Sequence, residues 1–494
     1  MPSKIDLYNQ LGISKNATPE EIKQAFFQSA RRLHPDVNIQ SNANEQFLLI
    51  KEAYEILSNP QKRAKYDNNY IREITKSPVN IEILYSRNEI LRLTEKQLIY
   101  TLLDIHFYSD NDQETATRIP INAAIVLDVS TSMRGSRLQA IKSTTAEIIH
   151  KLTSNDILSI VSFSDRSKVI IPASHPDAAH SLEPNIRRLQ THGGTEIFQG
   201  LLAGFSEIRK NLSARYHNHI ILITDGRTYG DEIACLDLAD QCASLGVAIS
   251  CLGIGSEWND EFLDELAKRT GGTSKYVATS RGINDILPNI FTELERVVAA
   301  RIEFDFNLGT GVDLLYAFRI HPELGVLPLT SPIQFGGCPK DSFQRILFEF
   351  QVSPLNQDIK HFLLLSGELK INIPQVSESN YQIPLSFIQK VSNSPEQPIP
   401  PPQLIVESMS KLTLYRMHER ANKFFVEGKI DEAKEQLQNL ATHLLSKGEN
   451  KLSKTVLLEV EHLEKQKRYS DSGNKEIKYG TRALLLPNKN NAER

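Results

Sequence analysis

The strongest constraint on the fold of this chain lies at residues 121–137, where an apolar run stops abruptly at Asp128. A short apolar run bounded by polar residues is typical of a buried parallel strand. A helical pattern from Arg137 to Leu152 follows at once, so the segment predicts a strand–loop–helix unit. Strand and helix patterns then alternate to about residue 298, which predicts a doubly wound, mostly parallel sheet.

Oxygen-bearing side chains follow the ends of these predicted strands. Asp128, Ser130 and Ser132 occupy alternate positions, and alternate side chains of an extended loop point the same way. Thr195 precedes another predicted helix, and Asp225 follows another predicted strand. Ligands of open α/β sheets bind beyond the carboxyl ends of the strands, so these groups can meet there. Carboxylate and hydroxyl oxygens suit a hard divalent cation such as Mg²⁺.

The pattern Asp-x-Ser-x-Ser, Thr, Asp resembles the metal-ion-dependent adhesion site of the von Willebrand factor A family, over about residues 119–298. The resemblance implies that Ser130 and Ser132 bind the metal directly. It implies that Thr195, Asp128 and Asp225 bind it directly or through water. The implied cofactor is Mg²⁺ or another divalent cation such as Mn²⁺, and a partner protein's carboxylate would fill the open position. An A-type domain that keeps the fold without metal is the alternative.

The first seventy residues predict a small helical unit. Thr18-Pro19 begins one helical pattern, and the apolar stripe from Phe47 to Leu57 marks a second. The connecting loop begins with His34-Pro35-Asp36. The first helix carries basic charge at Lys23, Arg31 and Arg32.

This unit, residues 4–70, resembles the J domain of DnaJ-type co-chaperones. The matching motifs are Asp6-Leu7-Tyr8, His34-Pro35-Asp36, Ala53-Tyr54 and Gln61-Lys62-Arg63. The resemblance implies that the tripeptide and the basic helix engage a DnaK-type heat-shock chaperone and stimulate its ATP hydrolysis. A J-like bundle without chaperone coupling is the alternative.

Two features qualify that resemblance. Phe27 and Gln28 stand where the helix is usually basic, which predicts weaker electrostatic steering toward an acidic chaperone surface. The tripeptide also recurs at residues 175–177, without flanking J-type helices. We interpret this second copy as a helix N-terminus with Asp177 near the cap.

Composition excludes several classes of protein. A net charge of −4 argues against a nucleic-acid-binding chain. No apolar run reaches the length of a membrane span, and the first thirty residues do not have the pattern of a signal peptide, so we expect a cytoplasmic protein without a membrane span. Four cysteines form no disulfide or metal pattern, and we expect them to be buried. Trp258 is expected to pack within its own domain rather than to anchor a partner.

The predicted fold is a multidomain α and α/β chain: a helical J domain, a von Willebrand A domain with a doubly wound, mostly parallel sheet, a flanking antiparallel β subdomain and a C-terminal helical bundle. The flanking subdomain is expected to be a small sandwich that the A-type domain interrupts. Alternating apolar residues predict strands before the A-type domain, at Val79, Ile81 and Ile83 and again at Leu103, Ile105 and Phe107. Residues 469–494 are largely polar and basic, so we expect a poorly ordered tail there. The other expected boundaries are the J domain at 1–70, a linker and strands at 71–118, the A-type domain at 119–298, the β subdomain at 299–393, a Pro-rich linker at 394–402 and the bundle at 403–468.

The sequence favours a non-enzymatic adaptor that links a protein partner to a DnaK-type chaperone. A metal-dependent phosphatase is one alternative, but Ser130 stands where such enzymes carry a second aspartate, leaving no evident general acid. A structural A-domain scaffold in which metal is dispensable is the other.

Overall fold

The structure is a computed structural model of the 494-residue chain. It describes residues 7, 11, 18–33, 43–63, 66, 79–107, 118–228, 230–323, 325–340, 342–355, 359–374, 380–393, 400–470 and 472–483.

The N-terminal unit contains two helices, α1 (Pro19–Leu33) and α2 (Ala43–Leu57). Ile22 of α1 and Ala53 and Leu57 of α2 are buried in their shared core. Phe26 and Tyr54 stack with ring centroids 4.2 Å apart. The predicted helix pair is therefore present, whereas the His34-Pro35-Asp36 loop lies outside the described residues.

Three strands connect this unit to the central domain: β1 (Val79–Tyr85), β2 (Glu89–Leu91) and β3 (Gln97–Phe107). Strands β1 and β3 confirm the prediction from alternating apolar residues. Strand β2 was not predicted, because a three-residue strand is too short to show a period.

The central domain alternates strands and helices as predicted. Its elements are β4 (Ile121–Asp128), α3 (Ser136–Lys151), β5 (Ile157–Phe163), β6 (Ser167–Ser174), α4 (Pro176–Arg187), α5 (Ile197–Arg209), β7 (His217–Thr224), α6 (Glu232–Ser244), β8 (Ala248–Ile254), α7 (Asp260–Thr270), β9 (Ser274–Val277) and α8 (Ser280–Glu295).

The six strands form one sheet in the order β6-β5-β4-β7-β8-β9. Only the edge strand β6 pairs antiparallel; the other pairs are parallel. Every residue of β4 is buried, because apolar clusters cover both faces of the sheet. This arrangement explains why β4 is apolar throughout rather than alternating, and it confirms the doubly wound sheet.

The second His-Pro-Asp tripeptide has the role that its context predicted. Pro176 is the first residue of α4, His175 is its N-cap and Asp177 lies in the first turn.

The chain then forms a β-sandwich. Its further strands are β10 (Val297–Ala299), β11 (Arg301–Leu308), β12 (Val312–His321), β13 (Gly325–Val326), β14 (Ile333–Gln334), β15 (Cys338–Pro339), β16 (Phe343–Val352), β17 (His361–Asn372) and β18 (Asn380–Ser392). Two five-stranded sheets, β1-β3-β16-β12-β13 and β14-β11-β17-β18-β2, enclose one apolar core, while β10 and β15 form a separate pair. Strands from both sides of the central domain share each sheet, which confirms the interrupted subdomain.

A buried arginine joins the sandwich to the central domain. Arg319 of β12 donates to the carbonyls of Gly271, Gly272 and Phe335 at 2.7–3.0 Å. Gly271 has a φ of 73° and ends helix α7, so its carbonyl would otherwise lack a partner within the helix.

The C-terminal region contains α9 (Gln403–Val426), α10 (Ile430–Ser446), α11 (Asn450–Gln466) and a fourth helix, α12 (Gly473–Ala483). Helix α9 packs on the outer face of one sandwich sheet. The prediction of a poorly ordered tail from residue 469 is wrong for residues 472–483. The basic residues that suggested a solvated tail form ion pairs with the central domain, as described below.

The four cysteines are buried, as predicted. Burial raises the pKa of the Cys242 and Cys338 thiols to about 12, so neither is a reactive thiolate near neutral pH. Trp258 is also fully buried. It packs in the core of its own domain, as predicted, and additionally against Tyr479 of α12.

Candidate metal centre

The five predicted ligand residues lie at the carboxyl edge of the central sheet. Asp128 ends β4, and Asp225 follows directly after β7, the strand that pairs with β4. Ser130 and Ser132 lie in the loop between β4 and α3, and Thr195 lies just before α5. Parallel pairing of neighbouring strands brings their ends to one edge, so residues almost a hundred positions apart become neighbours.

Asp128 is fully buried and held by two hydrogen bonds. Its Oδ1 accepts from the Ser130 amide at 2.7 Å, and its Oδ2 accepts from the Thr224 hydroxyl at 2.6 Å. Burial raises the pKa of the Asp128 carboxyl to about 6, although these hydrogen bonds oppose the shift. The nearby Asp225 raises it further. A nearby cation would stabilise the charged form of this carboxyl.

A chain of hydrogen bonds joins the serines to the second carboxylate. Ser130 Oγ lies 2.9 Å from Ser132 Oγ, and Ser132 Oγ donates to Asp225 Oδ1 at 2.6 Å. The other oxygen of Asp225 forms an ion pair with the guanidinium of Arg137. These side chains are therefore already gathered within hydrogen-bonding distance of one another.

Thr195 lies against Gly226, the neighbour of Asp225 in the chain. A Cβ placed on Gly226, the residue after Asp225, would lie only 2.8 Å from Thr195 Oγ1. The loop that carries Thr195 is fixed by backbone bonds, since the His192 amide donates to the Val129 carbonyl at 2.8 Å. The Asp165 side chain also fixes this loop, since its Oδ1 accepts a hydrogen bond from the Gly194 amide at 2.7 Å. Sequence reasoning missed Asp165 because it lies in a loop with no motif.

The donor set fits a hard divalent cation. Two carboxylates and three hydroxyls, all of them oxygen donors, lie together on three loops, and Mg²⁺ prefers such oxygen ligands.

Arg137 adds a positive charge to this group of side chains, because its guanidinium forms an ion pair with Asp225. Sequence reasoning missed Arg137. A weak signal was present, since a basic residue in the first turn of a helix opposes the helix dipole and is therefore favoured by a nearby carboxylate.

The loop at residues 255–259 borders this centre. A Cβ on Gly255 would lie 2.8 Å from Arg137 Nη2, and Gly255 accepts a hydrogen bond from Trp258 Nε1 at 2.8 Å. Helix α12 holds the loop from the other side. Lys475 donates to the carbonyls of Ser256 and Trp258 and lies over the Trp258 ring at 4.6 Å.

Further ion pairs anchor α12 to the first turns of α7. Lys478 pairs with Asp260 at 2.5 Å and with Asp264 at 2.8 Å. Arg482 donates from two nitrogens to the two oxygens of Asp264, at 2.9 and 2.7 Å. These cations hold the pKa of the Asp264 carboxyl far below its usual range, despite its burial. The basic C-terminal residues are thus structural contacts of the central domain.

The predicted chaperone-binding residues are only partly described. Lys23 is exposed on α1, and Arg31 and Arg32 belong to the same helix. Phe27 is 57% exposed on this helix. His34, Pro35 and Asp36 lie outside the described residues.

Comparison with known families identifies three regions. Residues 6–67 match the DnaJ domain, and residues 122–291 match the von Willebrand factor type A domain. Residues 403–487 match the Sll0103-like, C-terminal alpha-helical domain, which includes α12. The chain therefore carries a DnaJ domain and a von Willebrand A domain.

Relatives in sequence cover only parts of the chain. An uncharacterized protein of Synechocystis, sll0103, is 34% identical over 161 residues, which is 32% of this chain and 38% of that protein. The chaperone protein DnaJ of Dictyoglomus thermophilum is 55% identical over 67 residues, which is 14% of this chain and 17% of that protein. The chain thus matches well under two thirds of the length of each relative.

Two solved structures share the fold over most of the chain. A von Willebrand factor type A protein from Catenulispora acidiphila superposes with a TM-score of 0.65 at 15% identity, covering 82% of this chain and 96% of that one. The ArnB paralog VWA2 from Sulfolobus acidocaldarius superposes with a TM-score of 0.51 at 14% identity, covering 83% and 100%. Among the residues described, no helix is both long and apolar enough to cross a membrane.

Proposed function

We propose that this chain is a co-chaperone adaptor, whose DnaJ domain recruits a DnaK-type chaperone and stimulates its ATPase while its A domain binds a protein partner through Mg²⁺. The observation that carries the proposal is the convergence of Asp128, Ser130, Ser132, Thr195 and Asp225 in a chain that also matches the DnaJ domain. Tethering the two binding sites raises the local concentration of chaperone around the partner.

In this proposal the bound cation supplies an open coordination position for an acidic residue of the partner. Ser130 and Ser132 would present hydroxyl oxygens to it, and Asp128 and Asp225 would balance its charge. Thr195 would supply the fifth oxygen. These residues would bind and orient a ligand, so we propose a binding protein rather than a hydrolase. A phosphatase assay in Mg²⁺ that shows turnover abolished in Asp128→Asn would favour the enzymatic alternative.

The direct test is capture of partners from a lysate by the whole chain, once in Mg²⁺ and once in chelator. Proteins that are lost in chelator and also lost with Asp225→Asn are the expected A-domain partners. The same proteins in both conditions would remove the metal from the recognition step. The DnaK-type chaperone should remain in both, because its proposed contact is on the DnaJ domain.

We expect His34→Gln to remove stimulation of the chaperone ATPase and leave only its unstimulated rate. The reason is that the resemblance assigns the chaperone contact to the tripeptide. Steady-state ATP hydrolysis by a DnaK-type chaperone measures the effect. His175→Gln is the matched control, since it changes the same residue in the second tripeptide, at the start of α4. Equal stimulation by wild type and His34→Gln would contradict the chaperone half of the proposal.

We expect Arg137→Ala to tighten Mg²⁺ binding by roughly tenfold, equivalent to about 1.4 kcal/mol. Arg137 is paired with Asp225, so its positive charge repels a cation that enters the site and competes with it for the Asp225 carboxylate. Calorimetric titration with Mg²⁺ measures the change. Arg134→Ala is the control, because Arg134 is an exposed arginine of the same loop. If neither wild type nor Arg137→Ala binds Mg²⁺, the scaffold alternative is favoured, with Arg137 serving as the permanent counter-charge.

A further inference from the structure

A second group of metal-ligating side chains lies on the helices α3 and α4, outside the candidate centre. His150 belongs to the last turn of α3, while His180 and Glu183 lie on α4. One donor atom from each residue lies within 4.8 Å of the others. None of these residues belongs to the adhesion-site pattern or to the DnaJ domain at residues 6–67. Their proximity is a product of helix packing.

The local geometry of this His150–His180–Glu183 cluster is already close to that of a metal site. His150 Nε2 lies 3.2 Å from Glu183 Oε2, and the two imidazole rings lie 4.5 Å apart between centroids. His180 and Glu183 are three positions apart, so they share one face of α4. The Glu183 side chain is only 12% exposed, so its carboxylate is held in place, whereas His150 is 59% exposed and can adjust.

The distances suit a small tetrahedral ion after a modest adjustment. Metal–ligand bonds of about 2.1 Å place two donors of a tetrahedral ion roughly 3.4 Å apart. Since the donor atoms all lie within 4.8 Å of one another, no pair has to approach by more than about 1.4 Å, which is within reach of an exposed imidazole. Two imidazoles and one carboxylate are donors that zinc accepts, and Mg²⁺ is less suited because it prefers oxygen ligands.

One ion pair competes with a metal for the Glu183 carboxylate. Arg187 donates to Glu183 Oε1 at 2.7 Å, but the Arg187 side chain is 77% exposed. An ion pair with such an exposed guanidinium contributes little to stability, and it does not occupy the other oxygen of Glu183. Glu183 Oε2, on the side of His150, is the oxygen left for the metal.

We propose that His150, His180 and Glu183 form a site for Zn²⁺ or a related first-row transition metal. The three side chains bind the ion and leave a fourth position for water or for a donor from another molecule. The ion would link the last turn of α3 to the middle of α4. This site is independent of the proposed Mg²⁺ centre, since its donors and their preferred metal are different.

The test is a calorimetric titration of the untagged full chain with Zn²⁺, in saturating Mg²⁺ so that the oxygen site is occupied. We expect one tight equivalent of Zn²⁺ and a rise in Tm. His150→Gln and His180→Gln should each weaken binding by at least about tenfold, and Arg187→Ala should leave it equal or tighter. Asp128→Asn should not change this Zn²⁺ binding, which separates the inference from the proposed function.

His443→Gln is the matched control, because His443 is also exposed in the last turn of its helix, α10, but lies outside the cluster. It should bind Zn²⁺ as the wild type does. The proposal is overturned if the wild type takes up no tight equivalent. It is equally overturned if the double variant His150→Gln/His180→Gln gives the wild-type isotherm, because the metal is then bound elsewhere.

Discussion

Replacing Asp264 with asparagine is expected to lower the free energy of unfolding by about 3 kcal/mol and to detach helix α12 from the central domain. Asp264 accepts two hydrogen bonds from Arg482 and pairs with Lys478 at 2.8 Å. The side chains of these two cations are only 13% and 10% exposed. Without the carboxylate, Arg482 loses its ion-pair partner in a largely buried place, which is the costly way to break such a pair.

Detachment of α12 would relieve this cost. If α12 separates, Arg482 and Lys478 return to water, so the loss of stability cannot exceed the free energy that docks the helix. Separation would also uncover Trp258, which is buried beside Tyr479 and Lys475. The chain has a single tryptophan, so its emission reports on this contact directly.

The experiment combines denaturant unfolding with the tryptophan emission of the folded protein. Asp264→Asn should unfold at lower denaturant and show a red-shifted emission before the main transition. Asp240→Asn is the control, because the Asp240 side chain is 57% exposed and its pair with Arg269 should contribute less than about 1 kcal/mol. Wild-type stability and emission in Asp264→Asn would show that α12 is not held by this carboxylate.

Replacing Asp128 with asparagine is expected to weaken Mg²⁺ binding by at least about 100-fold. The change removes one of two carboxylates but keeps the shape of the side chain. Two unit charges about 4 Å apart interact by roughly 4 kcal/mol at the effective dielectric of a protein site, so a loss of this size follows even after partial compensation. Calorimetric titration with Mg²⁺ measures it.

The stability of the metal-free protein separates this effect from simple damage. Burial raises the pKa of Asp128 to about 6, so near pH 7 the charged form is less stable in the folded than in the unfolded chain. Removing that charge should leave the metal-free Tm unchanged or slightly higher. Asp313→Asn, an exposed carboxylate on the sandwich, is the control. Equal Mg²⁺ affinity in wild type and Asp128→Asn would contradict the proposed metal centre.

Helix α12 is connected to the candidate metal centre through the loop at residues 255–259. It holds the loop at residues 255–259, and Gly255 of that loop lies against Arg137, which pairs with Asp225. The C-terminal bundle and the candidate metal centre are thus connected through three successive contacts. Mg²⁺ affinity should therefore also be measured in Asp264→Asn, in which α12 is expected to detach.

Local patterns in the sequence determined the helix pair of the DnaJ domain, the alternating strands and helices of the central domain and the identity of the five oxygen-bearing residues. These features could be predicted because apolar periodicity and strand-end chemistry act over a few residues. The interrupted sandwich was also predictable, since apolar alternation appears on both sides of the central domain.

Only the tertiary structure decided the contacts of Arg137, α12 and the His150–His180–Glu183 cluster. Each depends on residues that are far apart in the chain, and a charged or polar side chain looks the same in sequence whether water or another side chain surrounds it. The region after residue 469 shows this most clearly. Its basic residues suggested a solvated tail, but Asp260 and Asp264 neutralise them, so that a helix could dock where composition alone predicted disorder.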